Sequence, residues 1–471
     1  MARSLMVRRF LGVLAILALL GAGCSRSSKD VETGATSDKS TTSGSPATGG
    51  DGGGGGGGSN LPKGGFGDLK TVCSKGTPKG SSDKGVTDSE IKVGTISDKG
   101  AQIRPGLNKE MYDSAVAFTK WCNEHGGILG RKLTLTDLDA KLFEYPSVIT
   151  KGCQEDFALV GGGAAIDDGD NGARVKCGLP NIAGFTVSAK ARASGLQVQP
   201  LPVPVDRDPV GQFRVLAKLD PEAVKHFGTL TGDLASIVIA KDADVEATKA
   251  FGYKVVFDRK YGVAGESNWR PFVEDLKSKG VQVLEFIGEP ANLTALQKAM
   301  KTVGYYPKYT LQQANFYDTK YAAEGGSTAK GTYVRLALHP FELAKDNQAT
   351  QDYLDLMKQY NPSGKVALLG AQGLSAWLLF AKAATECGPD LTRTCLIQKA
   401  GKVTSWTGGG LHGEANPGGL EPTSCFAVMR LDGNKFVYDK KYTEPDKGVF
   451  NCDPKNIAKL TNDYGVEPPK R

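Results

Sequence analysis

Residues 123–135, NEHGGILGRKLTL, join two segments of different periodicity. Upstream, NKEMYDSAVAFTKWCNEH (108–125) sets Met111, Ala115, Phe118 and Cys122 on one face of a helix. Downstream, RKLTLTDLD (131–139) reads as a strand. Gly126 and Gly127 stop the helix, because a helix C-terminus favours a residue that tolerates positive φ. EIKVGTIS (90–97) before the helix reads as a buried strand, so residues 90–139 form a β-α-β unit. In a right-handed unit the helix-to-strand corner lies at the N-terminal edge of the sheet. Ligands of open α/β sheets bind at the opposite, carboxyl edge. The glycines of 123–135 are therefore structural, and a working site belongs on the loops that follow the strands.

The alternation continues along the chain. FALVGGGA (157–164), LPNIAGFT (179–186), FGTLTG (227–232), ASIVIAKD (235–242), YKVVFDRKYG (253–262), VQVLEFIGE (281–289) and KYTLQQANF (308–316) read as strands. DNGARVKCG (170–178), DVEATKAFG (244–252), WRPFVEDLKSKG (269–280) and NLTALQKAMKTVG (292–304) read as helices between them. A seam with Pro200, Pro202 and Pro204 separates two such cycles, which implies two lobes. GTYVRLALHPF (331–341) reads as a return crossing, helices follow at about 348–360 and 370–387, and about 424–438 reads as a hairpin.

A chain of 471 residues with 40% hydrophobic and 23% charged residues suits a globular protein of two or three packing units. A net charge of +7, spread among acids and without a basic, aromatic-interleaved stripe, argues against a nucleic-acid partner. The leader is distinctive. Arg3, Arg8 and Arg9 precede the apolar run LGVLAILALLGAG (11–23) and then Cys24, the pattern of a secretory signal. A cysteine directly after small residues resembles a bacterial lipobox, in which it is lipidated, although Leu20 stands one place early with Gly21 in its slot. From Ser25 to about Gly65 the chain is rich in Ser, Thr, Gly, Lys and Asp, with seven consecutive glycines at 52–58. Such a segment has nothing to bury, and ~40 flexible residues span an r.m.s. distance of about 35 Å.

Of nine cysteines, eight remain beside Cys24, an even number that favours disulfides in an exported chain. Cys387 and Cys395 flank a short loop, and Cys425 and Cys452 flank the terminal hairpin region. Cys153 and Cys177 precede neighbouring parallel strands, which leaves Cys73 to pin the N-terminal segment to Cys122. No C-x-x-C occurs and none of the four histidines pairs at helical spacing, so no metal site and no cofactor are expected. G-x-S-x-G and H-E-x-x-H are absent, which sets a secreted hydrolase aside; the acid pairs Asp137/Asp139 and Asp167/Asp168 read as solvated turns. No enzyme activity is expected.

The order of this leader, IKVGTIS (91–97), the long helix, NEHGGILGRKLTL, ALVGGGA (158–164) and LPNIAGF (179–185) resembles the branched-chain amino-acid (Leu/Ile/Val) type of periplasmic binding protein. The corner N-x-x-GGILGRK-L-x-L carries the resemblance best. The likeness runs from Glu90 to Tyr438, strongest in the first lobe and weakest in the second, and ECGPDLTRTC (386–395) resembles the actinobacterial branch. It implies a type I fold: two Rossmann-like α/β lobes joined by crossing hinge strands, with a cleft between them. The expected division is signal peptide 1–23, disordered tether 24–70, first lobe 71–204, second lobe 205–335, return to the first lobe 336–420, and a C-terminal hairpin and tail 421–471. The implied role is an extracytoplasmic, lipid-anchored monomer that captures a small polar ligand and delivers it to an ABC permease. A tethered sensor for a membrane receptor would need the same cleft.

Three loops of the first lobe would face that cleft: 97–105, 161–168 and 184–189. Ser97 and the bare N–H groups of Gly162, Gly163 and Ala164 are candidates to hold a carboxylate or phosphate. The resemblance adds Thr186 and Ser188 as a hydroxyl pair for α-amino and carboxylate groups, while the hydroxyls it implies at 163–165 are missing. From the second lobe, Asp242, Glu289, Asn315 and Tyr317 follow the strands, and the resemblance implies an acid and aromatics there. Asp244 also suits the cap of a helix starting at Val245.

Overall fold

The computed structural model describes residues 61–464. The expected signal peptide, the lipidation site Cys24 and the tether up to residue 60 lie outside the described residues. The tether's expected end at residue 70 is corrected: Leu61 and Phe66 are buried, and the Asp68 N–H donates to the Gly409 carbonyl at 3.0 Å. An apolar pair within ten residues is enough to dock this stretch.

The first lobe holds β1 (Glu90–Ser97), α1 (Lys109–Glu124), β2 (Lys132–Asp139), α2 (Tyr145–Glu155), β3 (Ala158–Val160), α3 (Asn171–Lys176), β4 (Asn181–Ile182), α4 (Ala189–Arg192) and β5 (Gln197–Val198). Its five strands are parallel in the order β2-β1-β3-β4-β5. After β6 (Arg207–Pro209) the second lobe adds α5 (Gly211–Leu219), β7 (Phe227–Gly232), α6 (Ala235–Thr248), β8 (Val255–Tyr261), α7 (Arg270–Ser278), β9 (Val283–Ile287), α8 (Pro290–Val303), β10 (Tyr309–Gln312), α9 (Thr319–Gly325) and β11 (Thr332–Leu336). The chain then returns to the first lobe as α10 (Gln348–Tyr360), α11 (Leu368–Cys387) and α12 (Arg393–Ala400). It ends with β12 (Ala427–Asp432), β13 (Lys435–Tyr438), α13 (Lys440–Thr443) and β14 (Ile457–Lys459). β12 and β13 extend the second sheet antiparallel, in the order β13-β12-β11-β10-β9-β7-β8, and β14 pairs antiparallel with β6. The stretch read as a return crossing is thus first a strand, β11, parallel to β10.

One element is reversed in type. ASIVIAKD, expected as a strand, opens the helix α6, which runs on through DVEAT. A short apolar run does not distinguish strand from buried helix. Here β7, with all six residues buried, already fills the first strand position, and a right-handed crossing to the parallel β8 needs a helix. Asp244 consequently lies inside α6 and caps nothing.

The core of the first lobe is α11, 20 residues long and buried over most of its length. Phe118 of α1 meets Trp377 of α11 with ring centroids 5.3 Å apart. Among the described residues no helix is long and apolar enough to cross a membrane. Four cysteine pairs stand at disulfide distance, Cys73–Cys122, Cys153–Cys177, Cys387–Cys395 and Cys425–Cys452, with Cα separations of 5.3, 5.9, 5.9 and 3.9 Å.

The corner at 123–135 sits at the N-terminal edge of β2. Gly127 has φ +71°, its N–H closes α1 onto the Cys122 carbonyl at 2.8 Å, and a Cβ there would strike the backbone carbonyl of Arg131. Asn123 locks the corner from the side, accepting from Leu133 N–H at 2.7 Å and donating to its carbonyl at 2.9 Å. Gly127→Ala should therefore cost about 1–3 kcal/mol of stability through backbone strain. Urea melts should show that loss, while calorimetric titration of the folded fraction shows unchanged ligand affinity.

Candidate ligand site between the lobes

Many donors in the loops at the carboxyl edge of the first sheet are engaged within the protein. Ala165 N–H donates to Asp98 at 2.7 Å, and Asp98 also accepts from Leu142 N–H at 2.8 Å. Val187 and Ser188 N–H groups both donate to Asp167, each at 2.8 Å. Gly163 N–H is taken by the Ile96 carbonyl, and Gly162 accepts from Gly184 and Phe185 N–H. Thr186 Oγ1 accepts from Gln199, and Ser188 Oγ caps α4 by accepting from Ala191 N–H at 3.1 Å. Ala164 is buried in an apolar cluster with Tyr145 and Leu159, and Ser97 is buried with its hydroxyl unpartnered. Two of the chain's own carboxylates, Asp98 and Asp167, thus take amides of the loops where the anion cradle was expected. Burial lifts both above the usual carboxylate range, against the lowering effect of those N–H donors.

The second-lobe candidates are likewise engaged. Glu289, before α8, pairs with Arg104 of the first lobe at 3.0 Å, across the cleft. Asn315 donates to the Gly288 carbonyl at 3.1 Å. Tyr317 is buried between Phe341 and Phe436, with its hydroxyl bonded to Glu342. Asp242 lies on the solvent side of α6 and pairs with Lys241 at 2.6 Å. None of the four lines the cavity described next.

A cavity of about 110 Å³ lies where α4 of the first lobe faces α6 and the sheet of the second, beside β6. Val187, Ala189 and Arg192 come from the first lobe, Val203–Val205 and Arg207–Pro209 from the hinge, and Ser236, Ile239, Ala240 and Ala243 from α6. Its polar floor combines Glu285 of β9, Arg335 of β11, Asp244 of α6 and Asp208 of β6. Glu285 stands in register with Leu311 and Tyr333 on adjoining strands, so it shares their face of the sheet, and Arg335 lies two residues beyond Tyr333 on that face. A charged residue at an interior position of a buried strand is costly unless something compensates it.

Asp244 accepts from Gln313 Nε2 at 3.2 Å and lines the cavity together with Asp208 and Glu285. Burial, and then the neighbouring acids, raise Asp208 and Asp244 well above the usual range, and burial raises Glu285 to about 8. Both Glu285 oxygens, Asp208 Oδ2, Gln212 Oε1 and Arg192 Nε are buried without a hydrogen-bond partner. Among the described residues no group of acids, histidines or cysteines is arranged to hold a metal ion.

Residues 203–435 match the model of the periplasmic binding protein family. Over that stretch the chain belongs to the family. The match falls on the second lobe and the return segment, where the resemblance was expected to be weakest. Solved structures similar to this periplasmic binding protein include a fatty acid ABC transporter substrate-binding protein from Thermomonospora curvata, 16% identical, TM-score 0.67, covering 81% of this chain and 97% of that one. A leucine-binding protein from Thermotoga maritima is 13% identical at TM-score 0.62, covering 74% and 97%. The branched-chain amino acid transporter substrate-binding protein of Streptococcus pneumoniae, in complex with isoleucine, is 15% identical at TM-score 0.60, covering 74% and 100%. These likenesses establish the type I two-lobed fold. No curated protein matches in sequence.

Sequence reasoning passed over Glu285, Arg335, Asp208 and Arg192. The signal was there for two of them: VLEFI and TYVRL each place a charge inside an otherwise apolar strand. A buried Ser375–His412 contact of 2.8 Å does not make a catalytic pair in this binding protein. Trp406 Nε1–H donates to Ser375, His412 Nδ1 meets the Gly413 carbonyl, and burial lowers His412 to about 4.

The C-terminal segment forms one wall. β14 pairs with β6, and Leu460 and Tyr464 line the cavity. Glu246 of α6 fastens this strap, accepting from Tyr464 Oη–H at 2.6 Å, from the Thr461 hydroxyl at 2.8 Å and from the Thr461 and Asn462 amides. Burial, the largest single effect, acts upward, but these donors together outweigh it and hold the carboxyl down at about 2, below the ordinary range. Glu246→Ala should raise amide hydrogen exchange at Thr461 and Asn462 at pH 7, while the β14–β6 pairing keeps its protection. Unchanged exchange at both amides would show that Glu246 does not hold the strap.

Proposed function

We propose that this chain is a solute-binding component of an ABC transporter that traps a small molecule in the cavity between α4 and α6 and presents its closed form to a membrane permease. The observation that carries the reading is the cavity itself. It draws residues from both lobes and the hinge, and it holds buried polar atoms with no protein partner. A concave site with apolar walls and a few convergent polar groups is the usual form of a small-molecule site. A ligand touching Arg192 on one lobe and α6 on the other gains contacts only when the lobes are together. That differential affinity shifts the population toward closure. The family match and the two-lobed fold support the same role. The solved relatives are named for leucine, isoleucine and a fatty acid. Because Asp98 and Asp167 take amides of the loops that would form an amino-acid cradle, the reading gives this chain a different grip on its ligand.

The reading includes an extracytoplasmic monomer, held to the membrane through a lipid on Cys24, and it assigns no catalysis. Cys24→Ala should release the protein from the membrane fraction. Retention of that variant after a high-salt wash would remove the anchor from the proposal.

Ala243 offers the test of the cavity. Ala243→Trp fills the space from α6, on a side of the helix that faces the cavity. A true ligand at a hundredfold excess over its Kd stabilises the wild type by about 2.7 kcal/mol. In a thermal-shift screen of amino acids, amides, organic acids, aromatics and sugars, the ligand should raise the wild-type Tm and leave that of Ala243→Trp unmoved. Equal shifts in both proteins would place the site elsewhere.

A further inference from the structure

Resting on that reading of the cavity, we infer that its closure is regulated by an electrostatic clasp between the lobes, built from Arg104 with Glu289 and from Lys365 with Asp318, so that closure weakens as ionic strength rises. Arg104 stands on the loop after β1, at the carboxyl edge of the first sheet, and Glu289 follows β9, at the carboxyl edge of the second. Arg104 Nε donates to Glu289 Oε2 at 3.0 Å, with the two side chains 33% and 31% exposed. Neither side chain has another ion pair among the described residues, so each depends on the opposite lobe for its counter-charge.

The second contact is more enclosed. Lys365, on the loop between α10 and α11, places Nζ 2.8 Å from Asp318 of the second lobe and 3.3 Å from Glu110 of α1. Both acids are buried, and Asp318 also caps α9 by accepting from Lys320 N–H. Lys365 keeps Glu110 beside it when the lobes part, whereas Asp318 loses its cation. In both contacts the first lobe supplies the cation and the second lobe the acid. The facing edges are therefore complementary in charge at two separate points.

A partly exposed ion pair contributes little to the stability of a fold. It matters more to a choice between open and closed forms, because two such forms lie close in free energy. Pairs made only when the lobes meet favour the closed form, as a bridging ligand does. The ligand then finds a larger binding-competent fraction, and its apparent affinity rises in proportion. Dissolved salt screens charges at the surface and loosens the clasp.

The test is small-angle X-ray scattering of the soluble Cys24→Ala chain and its variants, with no ligand added, at about 0.01 M and about 1 M salt, where charges act over about 30 Å and about 3 Å. Residues 1–60 are common to every variant, so differences at one salt concentration report the lobes. At low salt Arg104→Gln and Asp318→Asn should each have a larger radius of gyration than the parent, and Glu289→Arg, which sets two cations face to face, a larger one still. At high salt the parent and Arg104→Gln should coincide. Arg104→Glu combined with Glu289→Arg should recover the parent's compact radius at low salt, which a role in packing alone would not produce. Glu289→Gln takes the place of Glu289→Arg if the latter fails to fold. Equal radii for the parent and all single variants at low salt overturn the clasp. So does a charge-reversed pair as expanded as Glu289→Arg, or a difference between the parent and Arg104→Gln that salt leaves unchanged. Each of these outcomes leaves the cavity's role intact, whereas equal thermal shifts in the wild type and Ala243→Trp overturn the cavity and leave the clasp standing.

Discussion

The interlobe face depends on how closely α11 approaches the carboxyl ends of β3 and β4. Gly373 of α11 faces Gly161, and a Cβ on Gly373 would stand 2.7 Å from the Gly161 carbonyl oxygen. A Cβ on Gly184, after β4, would stand 2.5 Å from that same oxygen. Side chains at these positions would push helix and strands apart and open the lobe's core around Trp377. With the backbones in contact, the loops at 161–168 and 184–188 fold tightly over the strand ends. Gln372 of α11 fastens the second of them by donating to the Gly184 carbonyl at 2.6 Å. In these loops the N–H groups of Ala165, Val187 and Ser188 donate to Asp98 and Asp167. Close packing has thus turned part of the loop edge into internal structure.

The second lobe shows the opposite arrangement. Its floor gathers Asp208, Asp244, Glu285 and Arg335, facing Arg192 of the first lobe, and both Glu285 oxygens, Asp208 Oδ2 and Arg192 Nε lack a hydrogen-bond partner. Buried polar groups are satisfied almost everywhere in folded proteins. Arg174 donates to the Leu179, Leu196 and Gly195 carbonyls, and Arg393 to those of Phe157, Cys177 and Asp156. Those arginines are held by several hydrogen bonds each, although Arg174 Nε has no partner, whereas Arg192 and Arg335 donate to no described residue, which sets the cavity apart as a binding device. The C-terminal strap then closes the wall of that device, held at one end by β6 and at the other by Glu246 of α6.

Much of the fold was legible. The helix-to-strand corner at 123–135 was readable because Gly126 and Gly127 can be placed by local rules of chain geometry, which need no distant partner. The parallel strands of the first lobe announced themselves by β-branched runs at regular intervals, and the cysteine pairs by the elements they flank. The reading failed at α6, where SIVIA carries strand-like residues in a helix. Its state was set by β7, which already held the strand position, and by the handedness of the crossing to β8. The site was far less legible. The loops were located, but Thr186, Ser188, Glu289 and Tyr317 all found partners inside the protein.

The sequence by itself determined the two-lobed α/β plan, the edge of each sheet on which loops can carry function, and the corner that only structure requires. Those follow from periodicity, from glycine at positive φ and from the fixed hand of the β-α-β crossing, all of which act over a few tens of residues. Only the tertiary structure decided which polar groups are spoken for and which are free. Asp98 lies 67 positions from the amide it accepts from, and Arg335 reaches the cavity floor together with residues from α4, β6, α6 and β9. Whether a charge is satisfied depends on which distant segments the fold brings within hydrogen-bond range, and that is a property of packing.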